Sequence, residues 1–268
     1  MAFHETECGR NIHYEHFRGD RCPVFLVHGW AMSSEVWSSV IERLVTAGHE
    51  VVALDHRGCG RSDRDFADLS VRAIARDVAG IADRLGLSRI VVNGWSLGGM
   101  IAAEAASLLG ERAAGLVLTC PASPRLTPAS DFPYGGEREN YTQMPAALAA
   151  DRAGFFRGIA SSVCARDVGQ PAIDWIWSTF MRSGPFAFRS ILDACDQDQR
   201  ALLGALDIPV LTVIGGSDVI VQPEIGRQAA ASAKNSKLVT FEESGHAPFL
   251  EEPDRYIATL FDFLDSIG

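Results

Sequence analysis

The 268-residue chain reads as an α/β protein, a mostly parallel, doubly wound sheet carrying one helical insertion. Three observations predict this. Short apolar runs alternate with segments of helical spacing along most of the chain, and strands apolar on both faces belong in a sheet covered on both sides. The alternation breaks once, between Pro121 and Asp207, where prolines and then bulky aromatics take over. The composition, 47% hydrophobic and 22% charged with a mean hydropathy of +0.06, suits one substantial core, so residues 1–268 are read as a single domain.

The elements follow in order. Asn11–Phe17 alternates weakly and is expected at an antiparallel edge. Val24–His28 is a continuous apolar run, and Val36–Ala47 behind it has helical spacing. Glu50–Asp55 is the next strand, closed by the turn Arg57-Gly58-Cys59-Gly60. Ser70 reads as an N-cap. Val71, Ile74, Ala75, Val78, Ile81, Ala82 and Leu85 then recur at three- and four-residue steps, and Gly86 supplies the stop. Arg89–Asn93, a helix from Leu97 to about Leu109, and Leu116–Thr119 continue the pattern. It resumes with Val210–Ile214, a helix, Leu238–Phe241, and a last helix over Asp254–Leu264. A structureless loop of the length of 121–207 is implausible inside a compact domain, so this segment is expected to be a helical cap between the sixth and seventh core strands.

The bulk properties exclude some functions. A net charge of −10 and a pI near 5.2 argue against binding nucleic acid or an anionic membrane, both of which require a basic face. No window approaches the ~20 apolar residues of a membrane span, and Met1–Arg10 lacks the basic start and apolar stretch of a signal peptide. The six cysteines are scattered without a C-x-x-C pair, which points to reduced thiols used as small apolar filler, to no metal site, and to a cytoplasmic protein. A nucleotide-binding oxidoreductase requires G-x-G-x-x-G after the first strand, and Val24–Trp30 has none.

The chemistry concentrates at Gly94-Trp95-Ser96-Leu97-Gly98, a G-x-S-x-G run between a strand and a helix. Such a turn is too tight for side chains at its flanking positions and lifts the serine hydroxyl off the sheet end, above a helix N-terminus able to stabilise an oxyanion. A serine nucleophile requires a base and an orienting carboxylate. Of seven histidines only His246 directly follows a late strand, whereas His28 is read as bracing its loop. Asp218 ends Val210–Ile214 in Gly215-Gly216-Ser217-Asp218, on the sheet edge where ligands of open α/β sheets bind. Asp193, Asp196 and Asp198 precede that strand and read as a solvated helix face.

The chain order Ser96, Asp218, His246 resembles that of the α/β-hydrolase fold superfamily, a resemblance spanning nearly the whole chain. It implies an oxyanion loop at His28-Gly29-Trp30, with the backbone N–H groups of Trp30 and Leu97 as donors. Leu54–Ser62 matches the family's D-x-R-G-x-G-x-S turn. His28-Gly29-Trp30, Gly94–Gly99 and His246–Phe249 resemble biotin-pathway carboxylesterases and some acyl-homoserine lactonases, while Asp193–Val221 is similar to cofactor-free haloperoxidases and perhydrolases. Serine at the nucleophile position disfavours haloalkane dehalogenases and the usual epoxide hydrolases, and the missing His-Gly-Gly-Gly run disfavours the hormone-sensitive-lipase group. The expectation is a serine hydrolase without metal or cofactor, cleaving a small, mostly apolar ester through an acyl-enzyme. A lactonase or perhydrolase using the same residues is the alternative, and a hydrolase-like ligand receptor a more distant one. Trp30, Trp95, Trp175, Trp177 and Phe249 are the candidate substrate contacts.

Overall fold

The structure, a computed structural model, describes residues 2–268. The chain opens with β1 (Ala2–Glu5), β2 (Asn11–Phe17) and β3 (Arg21–Val27), then a 3-10 turn at Ser34–Trp37 leading into α1 (Ser38–Thr46). β4 (His49–Leu54), α2 (Val71–Leu85), β5 (Ile90–Trp95), α3 (Leu97–Leu109) and β6 (Ala113–Thr119) follow. The interruption holds α4 (Arg138–Thr142), α5 (Met144–Ser162), α6 (Gln170–Met181), α7 (Phe188–Cys195) and α8 (Arg200–Ala205). β7 (Pro209–Gly215), α9 (Pro223–Ser232), β8 (Asn235–Phe241), α10 (Pro248–Glu251) and α11 (Pro253–Ser266) complete the chain.

The eight strands form one sheet in the order β1-β2-β4-β3-β5-β6-β7-β8. β1 and β2 pair antiparallel, β2 meets β4 antiparallel, and every other neighbour is parallel. Asn11–Phe17 is therefore antiparallel as expected but is not the edge. The short β1, whose alternation over four residues is too brief to read from sequence, covers it. From β3 the chain winds to β4 on one side, then crosses to β5 on the other, which makes the β3–β5 boundary the topological switch point.

Neighbouring residues of β5 show how the layers lie. The Asn93 amide donates to the Tyr256 hydroxyl of α11 at 3.1 Å, whereas a methyl on Gly94 would sit 2.7 Å from Ala102 of α3. Successive strand side chains point to opposite faces, so α3 and α11 cover opposite faces of the sheet. β5 and β6 are buried almost throughout, and β3 is buried from Val24 to Val27, which is why these stretches read as apolar runs without alternation. The long helix α2 has the ends its sequence encodes: the Ser70 hydroxyl accepts from the Ala73 N–H at 3.2 Å, and Gly86 closes it in the left-handed conformation at φ 67°. Asp193 departs from expectation. Its half-buried carboxylate accepts the Val71 N–H at 2.9 Å and so joins the cap to the start of α2.

The cap is mostly helical and is broken within α5 at Asp151, whose backbone leaves the helical region while its carboxylate accepts the Gly154 N–H. Phe156 and Phe180 stack at 5.0 Å between α5 and α6 and form the cap's own small core. Thr179 of α6 donates to the Met32 sulfur at 3.3 Å, seating the cap on the loop after β3.

Candidate active site

Parallel pairing brings the carboxyl ends of five strands to one edge. The paired row Val27, Gly94, Leu118, Thr212 and Leu238 runs straight across the sheet. Ser96 and Cys120 come two residues past this row and Trp30 three, while Asp218 and His246 lie on the loops that follow β7 and β8, so all five leave the sheet on the same edge.

Ser96 sits between β5 and α3 with φ 59° and ψ −124°, a backbone conformation that L residues rarely adopt. Its neighbours permit this. A methyl on Gly94 would lie 2.0 Å from the Gly98 carbonyl oxygen, and one on Gly98 would lie 2.3 Å from that of Val27, so neither position accepts a side chain. The turn is pinned by the Ser96 N–H donating to Thr119 O at 2.9 Å and by the Ala122 N–H donating to Ser96 O at 2.9 Å. Leu97 opens α3, where helix geometry leaves its N–H without an intrahelical acceptor. The Trp30 N–H likewise has no acceptor among the described residues. A methyl on Gly29, next to Trp30, would be 3.2 Å from Ser96 Cβ, which places the loop directly against the serine.

His246 is held on every side. Its N–H donates to Val163 O at 2.7 Å, and its carbonyl accepts the Trp95 indole N–H at 2.7 Å. Its ring Nδ1 lies 2.7 Å from Asp218 Oδ2, while Asp218 Oδ1 accepts the Ile220 and Val221 N–H groups at 2.8 and 2.9 Å. The carboxylate is acceptor-only, so Nδ1 carries the ring proton and Nε2 presents its lone pair. Both side chains are buried, which strengthens this bond.

The structure distributes the predicted substrate contacts differently. Trp30 stands beside the site: its indole N–H donates to Ala187 O of the cap at 3.0 Å, and its ring lies 5.8 Å from Phe156. Trp95 and Phe249 are instead core residues, 2% and 1% exposed, packed at 5.2 Å on each other, with Phe249 also on Trp37. They form the floor under His246 rather than an open wall, because the side chain preceding the serine turns into the sheet layer. Trp177 is spent within the cap, donating to Ala153 O at 2.9 Å beneath the Arg157 guanidinium, and Trp175 is half-buried in α6.

Several groups escaped the sequence reading. Glu251 accepts N–H groups from Gly245, Ala247, Ala165 and Arg166, clipping the cap to the histidine loop. Cys120, in the left-handed region at φ 41°, packs against Asp218 and His246. His28 braces its loop as expected: Nδ1 lies 2.7 Å from Gly29 O, Nε2 accepts the His56 N–H at 2.9 Å, and the two imidazoles stack at 3.6 Å. Burial lowers the His28 pKa to about 4 and that of His56 well below its usual value, so both rings are neutral. For the Glu251 and Cys120 contacts the sequence offers only the five-residue spacing of Glu251 from His246 as a hint, whereas the structural place of His28 is read from its position at a strand end beside Gly29.

The family profile described as alpha/beta hydrolase fold matches residues 23–253. The chain belongs to the α/β-hydrolase family. Among this hydrolase's relatives is a pimeloyl-[acyl-carrier protein] methyl ester esterase of Neisseria meningitidis, 33% identical over 91% of this chain and 94% of the relative. A non-heme haloperoxidase of Rhodococcus erythropolis is 28% identical over 99% and 100% of the two chains. The solved structure of an esterase from Exiguobacterium antarcticum superposes with a TM-score of 0.94 at 25% identity, covering 98% of each chain. No described helix of the hydrolase is long and apolar enough to cross a membrane.

Proposed function

We propose that this hydrolase cleaves carboxylic esters with Ser96 as nucleophile, His246 as general base and Asp218 as its orienting acid. The chain is a carboxylic ester hydrolase by its family and its esterase relatives. The observation that carries the assignment is the 2.7 Å Asp218–His246 bond, held at the same sheet edge as a serine in a strained strand-to-helix turn. His246 Nε2 takes the Ser96 proton as the hydroxyl attacks the ester carbonyl. The N–H groups of Trp30 and Leu97 receive the oxyanion, and their lack of other acceptors keeps them available at no reorganisation cost. His246 then returns the proton to the leaving alcohol, and water activated in the same way releases the acid. The Trp30–Phe156–Phe180 cluster supports a mostly apolar acyl group, and the methyl ester esterase relative supports a small alcohol.

A fluorophosphonate probe tests the assignment. The protein is expected to label once, and Ser96→Ala to abolish labelling with an unchanged fold by circular dichroism. Undiminished labelling of that variant refutes it. A panel of methyl esters, bulkier esters and lactones, run with and without peroxide, separates ester hydrolysis from lactone opening and perhydrolysis by the same residues.

A further inference from the structure

We infer that Cys120, Asp218 and His246 form a binding site for a soft divalent cation of the zinc or cadmium kind, and that its occupation shuts off hydrolysis. The inhibitory effect rests on the assignment of His246 as base; the cation site rests on geometry alone. Cys120 Sγ, a carboxylate oxygen of Asp218 and an imidazole nitrogen of His246 lie within 4.8 Å of one another, and all three residues are buried. Tetrahedral zinc with bonds of about 2.3 Å to sulfur and 2.0–2.2 Å to nitrogen and oxygen holds its ligands roughly 3.3–3.8 Å apart. The 2.7 Å His246–Asp218 contact must open by roughly 0.6–0.8 Å, and a separation at the 4.8 Å limit must close by about an ångström.

Charge provides a second, independent reason. Asp218 and Glu251 are both buried, and neither pairs with an arginine or lysine among the described residues; Asp218 has His246 and backbone N–H groups, Glu251 only backbone N–H groups. A cation entering this region, where no arginine or lysine among the described residues balances the two carboxylates, is stabilised by Asp218 directly and by the Glu251 charge from further away. Cys120 supplies the soft ligand that selects zinc or cadmium over magnesium or calcium, which favour oxygen donors. Burial, and then the Asp218 charge, push the Cys120 thiol well up in pKa, so it enters the reaction as S–H.

The step balances without redox change. The thiol loses its proton to solvent and the thiolate sulfur donates an electron pair to the metal. The proton on His246 Nδ1 moves to Nε2, freeing the Nδ1 lone pair for coordination. A dication with one thiolate, one carboxylate and a neutral imidazole is electrically neutral, the least costly state for a buried site. Nε2, now protonated, no longer accepts the Ser96 proton, and the reaction stops.

The test uses the full-length protein with Cys8→Ser, which removes the exposed thiol. Cadmium is expected to inhibit ester hydrolysis reversibly, with EDTA restoring it, and to produce an ultraviolet cadmium–thiolate absorption. Magnesium and calcium are expected to do neither. Cys120→Ser and Cys120→Ala, both small enough for the site, should lose the absorption and raise the inhibitory concentration by at least about tenfold, the loss expected when a soft ligand goes. Each variant is compared with its own metal-free rate. Ser96→Ala should still show the absorption, so the site is read without any turnover. If cadmium gives no thiolate absorption in the parent or in Ser96→Ala, or if absorption and inhibition persist unchanged in both Cys120 variants, the cation site is overturned. Inactivity of the parent on every ester overturns only the hydrolytic reading.

Discussion

Lowering the pH from 7 to 5 should destabilise this protein through His28, which carries the loop ending at Trp30. Its Nε2 accepts the His56 N–H and its ring is wholly enclosed, so protonation costs both the hydrogen bond and the desolvation of a charge. The folded pKa is about 4 against an ordinary 6.5. Because the folded value is depressed, the unfolded chain binds the proton first. The contribution is therefore intact above 6.5 and is lost as pH falls from 6.5 toward 4. At pH 5 the unfolded imidazole is almost fully protonated and the folded one barely, which removes about 2 kcal/mol, rising to about 3 kcal/mol below pH 4. His56, stacked on it and also depressed by burial, acts in the same direction. Asp55 does not confuse the window: burial would raise its pKa, but the bond from His13 and the neighbouring His28 and N–H groups carry it down to about 2, so its contribution persists to well below pH 5. His28→Gln keeps an N–H donor and a carbonyl acceptor but cannot titrate. Urea unfolding of both proteins at pH 7 and pH 5 measures the difference. The parent should lose about 2 kcal/mol more than the variant. Equal losses would refute the claim that this imidazole is held neutral.

Asp218→Asn should leave the fold intact and lower kcat by ~10⁴, because the amide no longer fixes the Nδ1–H tautomer of His246; near-native turnover would show that another group orients the base. Phe156→Ala should cost ~3–5 kcal/mol in thermal or urea unfolding and also change the preference between short and bulky esters, since Phe156 supports both Phe180 and Trp30. Trp177→Ala should leave that preference alone, its ring being engaged by Ala153 and Arg157; a shift as large as that of Phe156→Ala would contradict this placement.

The sheet, its winding and the candidate Ser96, Asp218 and His246 were legible because each is written in local sequence. Buried parallel strands are continuous apolar runs, and Gly94 and Gly98 announce a turn whose flanks admit no methyl group. Asp218 and His246 each follow a strand directly, and parallel pairing alone carries strand ends to a common edge. What surrounds them was not legible. Trp95 looked like a pocket wall because it adjoins the serine, yet it lies in the core and supports the His246 carbonyl from 151 residues away. Cys120 looked like filler, and only the alignment of β6 beside β7 sets its sulfur against Asp218. Glu251 joins the cap to the histidine loop across 86 residues of sequence. Periodicity and turn chemistry report on neighbours along the chain, which determine where an element begins and which way its end points. Contacts between the ends of different elements depend on sheet register and helix packing, and those were decided only when the whole chain closed around one core.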